Sequence, residues 1–143
     1  MSVTVTPYNH TRRLFAAGDV DIADLKVMLL SGHTLDPTHT NISAIVADEV
    51  HGFGWPEGGA AIPNPTLTTT STNEATLDGD DVSEDANGGD ITADGAVIYH
   101  DATGSEYPLF HLDPGGEQSA ADGFPFGVVW HEDGIHVWAN PPA

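Results

Sequence analysis

The chain has 143 residues, enough for one domain with one core, and no cysteine, which excludes a disulfide framework, a thiolate zinc site and a catalytic thiol. Three cations, Arg12, Arg13 and Lys26, face 22 carboxylates for a formal net charge of -19. Binding to phosphate-rich partners runs on Lys and Arg, so nucleic acid and anionic membrane surfaces are excluded as partners.

Apolar residues make up 39 % of the chain, with three Trp, three Tyr and five Phe spread along it, which argues against disorder. The acidity instead fits a folded protein kept soluble in concentrated salt, where self-repulsion is screened over about 3 Å at 1 M rather than about 10 Å at 0.1 M. A halophilic source is the expectation. No apolar stretch approaches the roughly 18 residues of a membrane span. The opening residues lack the charged and apolar regions of a signal peptide, and none is expected.

In chain order, Val3 to Tyr8 alternates as a first strand, and Tyr8-Asn-His-Thr11 follows as a polar corner. Asp24 to Ser31 holds the apolar run of a central strand buried on both faces. Leu35 to Thr40 is turn-like, and Asn41 to Glu49 is the best helix candidate, about two turns capped by Asn41. Gly52 to Pro65 reads as a loop. Within it Trp55 either plugs the core or, with Phe53, anchors a partner. Pro65 to Thr72 is a Thr-rich solvated strand, which Asn73 to Leu77 either continues or reverses. Asp78 to Asp94 reads as a polar loop. Strands follow at Ala96 to His100, Tyr107 to Leu112, Phe126 to Trp130 and Gly134 to Ala139, the last two joined as a hairpin by Asp133-Gly134. The fold class is all-β: a single domain over residues 1–143, an antiparallel β-sandwich or barrel of about seven to eight strands with at most one short helix.

Catalytic motifs are missing. The acidic loop from Asp78 to Asp90 lacks the EF-hand spacing, since Val82 and Ser83 stand where a ligand and the turn glycine belong; a bound Ca²⁺ or other cation there is the lesser alternative to a solvated loop. His131-Glu-Asp-Gly-Ile-His136 is not H-E-x-x-H, and His131 and His136 with His100 or His111 would make at most an accidental zinc or nickel site. No nucleophile elbow or phosphate loop occurs, and carboxylates are too abundant for any pair to be informative. No enzyme activity, cofactor or metal is expected.

The segments Tyr8-Asn-His-Thr11, Leu14-Phe-Ala-Ala-Gly18, Lys26-Val-Met-Leu-Leu30, Asp36-Pro-Thr-His-Thr40, Glu49-Val-His-Gly-Phe-Gly-Trp55, Leu77-Asp-Gly-Asp-Asp-Val82, Ala96-Val-Ile-Tyr99, Pro108-Leu-Phe110, Phe126-Gly-Val-Val-Trp130 and Gly134-Ile135 resemble, in one order and over nearly the whole chain, a family of small virion structural proteins of tailed viruses. The resemblance implies a structural part with no catalytic residues to carry over, located in the virion and acting through protein–protein contacts. Capsid decoration is the preferred role, with the major capsid protein or other virion proteins and further copies of the chain as partners. A tail, fibre or baseplate component, in contact with the host surface, is the alternative. A glycan- or ion-binding module using Trp55 and the acidic loop is a third reading. The acidity departs from an average member of that family and points to a virus of a halophilic host.

Overall fold

The computed structural model describes residues 1–71 and 74–139. Its frame is one antiparallel sheet. β2 (Leu25–Leu30) and β9 (Gly95–His100) pair along their full lengths at its centre, β10 (Pro108–Asp113) flanks β9, and β1 (Thr4–Pro7) flanks β10. The far side of β2 is shared by two short segments, β3 (Glu49–Val50) and β4 (Ala60–Ala61). Around the frame stand the hairpin of β5 (Thr66–Ser71) and β6 (Glu74–Asp78), with β13 (His136–Ala139) on the other side of β6. Two pairs complete the set: β7 (Val82–Asp85) with β12 (Pro125–Val128), and β8 (Ile91–Ala93) with β11 (Gln118–Ala120).

Alternation along β2 and β9 explains the layering. Val27 and Leu29 on β2, with Ala96 and Ile98 on β9, point into a large core. Leu77, Val82, Ile91, Phe126 and Val128 of the smaller sheets fill it from the opposite side. Met28, Leu30, Val97 and Tyr99 point the other way, into a second core closed by Ile42 and Ile45 with Leu35 against it. β9 is therefore buried at every position. The architecture is all-β and sandwich-like, and no sheet closes into a barrel among the described residues.

Several boundaries differ from the sequence expectation. The candidate helix over 41–49 is two 3₁₀ turns, Ile42–Ala44 and Val46–Asp48, although Asn41 does cap the first by accepting from Ser43 N–H at 2.9 Å. The one α-helix among the described residues, α1 (Thr11–Ala16), lies elsewhere; it turns Thr11 and Leu14 inward, three residues apart, and six residues are too few to display a helical period. The segment 78–94 contains β7 and β8 and is not simply a loop. The Asp133-Gly134 turn forms, with His131 and Gly134 bridged, but the strands on either side go to different partners, β12 to β7 and β13 to β6. The turn signal fixed a reversal, not a pairing. The strand count exceeds seven or eight because β3, β4, β8 and β11, of two or three residues each, and β7, of four, fall in segments that read as loops or turns. Thr72 and Asn73, where one expected strand ends and the next begins, lie outside the described residues.

A candidate protein-binding face

The glycine-rich loop after β3 is built around a two-residue reversal. Gly52 and Trp55 exchange both backbone hydrogen bonds, N–H to O at 2.9 and 3.1 Å. Between them Phe53 and Gly54 have φ of 52° and 107°. Positive φ at both central positions is the signature of a type I′ turn. Gly54 satisfies this freely, and nothing larger fits, because a Cβ there would lie 2.2 Å from the Asp85 carbonyl oxygen. Phe53 adopts the left-handed region at a cost of roughly 1–2 kcal/mol for a residue with a side chain.

Trp55 is what fastens this turn. It is 1 % exposed, donates its indole N–H to the Val27 carbonyl at 3.3 Å and meets Phe126 edge-on at 5.8 Å. Of its two expected roles, core plug and partner anchor, burial leaves only the first: the ring has no face to offer. Phe53 is the opposite case. At 54 % exposed, its ring lies over the flat backbone of Gly89, where a Cβ would come within 2.6 Å of it.

A second phenylalanine joins it. Asn87 N–H donates to the Phe53 carbonyl and Ala86 N–H to the Phe124 carbonyl, each at 2.8 Å. The loops of Phe53 and Phe124 are thus tied to adjacent residues of one segment, Asn87 and Ala86. Carboxylates pin the outer loop: Asp122 accepts from Gly88 N–H at 2.9 Å, and Asp90 from Asp122 N–H at 3.1 Å. Phe124 is 64 % exposed, and these two rings are the most exposed large apolar side chains among the described residues. Phe53 and Phe124 are thus displayed on loops tied to one segment, in a stretch of chain that also exposes Asp85, Asp90 and Asp122.

The acidic loop itself is occupied with the fold. Asp78 accepts from Gly79 N–H, Asp80 from the Asn64 side-chain amide, and Asp81 from Trp130 N–H at 3.0 Å, while the Trp130 indole donates to the Asp80 carbonyl at 2.9 Å. These carboxylates fan out to separate partners rather than converging on an ion. Among the described residues, no three His, Asp or Glu side chains are grouped to hold a metal.

The histidines sort in the same way. His100 uses both ring nitrogens, one against the Ser105 carbonyl at 2.7 Å and one accepting from Asp21 N–H at 3.2 Å. His10 and Thr11 bind the Pro108 and Leu109 carbonyls, each at 2.6 Å, forming the polar corner expected after β1. His136 packs between Phe110 and Trp138 at 5.2 and 4.7 Å, whereas the exposed His131 sits beside Asp133. The grouping of His131 and His136 with His100 or His111 does not assemble. Phe124 is the residue that sequence reading missed. Its only signal was an apolar ring between Gly123 and Pro125, in a stretch with no periodicity. Comparison of the chain with protein-family models, with curated proteins and with solved structures gives no match.

Proposed function

We propose that this domain is a structural subunit of a tailed-virus particle, a capsid decoration protein, that docks through its Phe53–Phe124 face. The observation that carries the reading is the display of two exposed phenylalanines on loops that hydrogen bonds, a buried tryptophan and a left-handed turn hold in place. Fixed aromatic rings bury large area with little side-chain entropy to lose, the property of interface anchors. A left-handed phenylalanine is strain of the kind that gathers at binding sites. The exposed carboxylates of the same stretch call for a partner surface that sets Lys or Arg around an apolar pocket. The extended resemblance to virion structural proteins supports the same class of role, with the major capsid protein and neighbouring copies of the chain as partners. Trp55, on which a glycan-binding reading leaned, is buried, which favours protein contact over sugar stacking.

Quantitative mass spectrometry of purified particles, scaled to the major capsid protein, tests the role. Decoration requires a copy number near that of the capsid protein or a simple lattice fraction of it. A handful of copies would assign the chain to the tail, fibre or baseplate, and none would sink the virion reading. Phe53→Ser with Phe124→Ser should then strip the domain from otherwise intact particles.

A further inference from the structure

We propose that His33 and His111 form a two-imidazole site for a divalent transition-metal ion of the zinc type, with Asp48 as the outer carboxylate that orients His33. The site belongs to the second face of the central sheet. On β10, His111 stands directly opposite Val97 of β9, so its ring lies on the side closed by the segment carrying the two 3₁₀ turns. His33 begins that covering segment. The two ring centroids are 6.2 Å apart, with their planes at 42°.

The nitrogens are arranged for ligation. His33 Nδ1 lies 2.8 Å from Asp48 Oδ2, and the His33 side chain is 5 % exposed. Donation from Nδ1 to the carboxylate leaves the lone pair on Nε2, the way a carboxylate fixes the tautomer of a metal-binding histidine. His33 Nε2 and His111 Nδ1 are both buried without a hydrogen-bond partner. Buried polar atoms almost always have one, and two imidazole nitrogens lacking one in neighbouring rings mark a shared ligand.

One ion can bridge the two rings after a small adjustment. With Zn–N bonds of about 2.0–2.1 Å and a tetrahedral angle, two imidazole centroids stand about 5 Å apart, so the rings, at 6.2 Å, close by about 1 Å on binding. Water molecules would complete the coordination of an ion held by the two imidazoles. Imidazole selects borderline ions such as Zn²⁺ or Ni²⁺, whereas the surface carboxylates prefer Mg²⁺ and Ca²⁺. That difference makes the site separable from the acidic surface.

The test is titration of the chelator-treated chain with ZnCl₂ in molar KCl and excess Mg²⁺, followed by calorimetry and by the ring ¹⁵N resonances of the histidines. The expected result is saturable binding of one Zn²⁺ per chain, with His33 Nε2 and His111 Nδ1 shifting together. His33→Gln or His111→Gln should weaken binding about tenfold or more, and His131→Gln, on the exposed histidine, should leave it unchanged. Absence of saturable binding, or binding that persists in both glutamine variants, overturns the proposal. Should a variant fail to fold, the wild-type resonances decide alone, and shifts confined to other histidines overturn it equally.

Discussion

Phe53 offers a direct test of whether its ring is kept for packing or for display. Its side chain is 54 % exposed, so less than half of it is withdrawn from water. Full burial of such a side chain is worth about 1.5–3 kcal/mol, which leaves about 1 kcal/mol for the contact over Gly89. Opposing it is the left-handed backbone at φ 52°, which costs a phenylalanine roughly 1–2 kcal/mol and asparagine less. Phe53→Asn loses the contact but relieves the backbone, and should change stability by less than about 1 kcal/mol, or ~4 °C in a domain of this size. Phe53→Ala loses the contact and keeps the strain, so it should be about 1 kcal/mol less stable than the asparagine variant. Urea unfolding followed by tryptophan fluorescence measures both. Gly89→Ala adds an independent arm: the three atoms nearest its Cβ all belong to the Phe53 ring, so it should turn that ring away with little loss of stability while weakening attachment to particles. An asparagine variant destabilised by about 3 kcal/mol or more would show the ring to be a core residue, and the case for a display surface would fall.

Three further outcomes follow from other parts of the fold. Gly54→Ala places a Cβ 2.2 Å from the Asp85 carbonyl and should cost about 3 kcal/mol or more, whereas Gly88→Ala, with φ of 81° but open space around it, should cost about 1 kcal/mol; equal losses in thermal unfolding would refute the close approach. The net charge of -19 should make the unfolding midpoint climb by about 10 °C or more between dilute buffer and molar KCl, and a flat response would remove the halophilic reading. Burial pushes the His136 imidazole below its ordinary range, so the unfolded chain takes up that proton first and stability falls as pH drops through about 6.5. His136→Phe should make that decline shallower by a fraction of one proton in calorimetry across pH 7 to 5, and an unchanged slope would show that the histidine is not responsible.

Strands that cross the centre of the sheet were legible because their apolar runs are nearly unbroken: apart from Lys26, Leu25–Leu30 and Gly95–His100 have no alternation to disguise them, and both faces are buried. Segments that touch the core with one or two side chains were not. Val82-Ser-Glu-Asp85 buries only Val82 fully, and its hydrogen bonds go to β12, more than forty residues away in sequence; nothing local distinguishes it from a polar loop. The Asp-Gly turn was read correctly and its consequence wrongly, because a reversal says nothing about whether the chain stays in one sheet afterwards. At the candidate face, Gly52-Phe-Gly-Trp55 announced itself through its glycines and tryptophan. Which ring turned inward was set by the contact of Trp55 with Val27 and Phe126, which composition cannot reveal. Phe124 joins Phe53 only through the chain between them at residues 86–87.

The acidity separates into two parts that the structure lets one weigh. Many carboxylates are turn-builders: Asp36 accepts from Thr38 N–H at 3.0 Å, Asp113 from Gly115 N–H at 2.8 Å, and Asp94 reaches across to Gly32 N–H at 3.0 Å. Such turns need an oxygen on a short side chain, and asparagine supplies one equally well. Asn41 does so here, accepting from Ser43 N–H two residues on, in the same pattern that Asp36 uses with Thr38. Turn chemistry therefore explains why oxygen-bearing side chains crowd these loops, but not why the chain uses fifteen Asp against six Asn. Nor does pairing explain it: Lys26 holds Asp101 at 2.6 Å, yet only three cations face the 22 acids. The remaining charge keeps the surface hydrated at the cost of self-repulsion, a cost that concentrated salt would screen and that the salt dependence of unfolding measures.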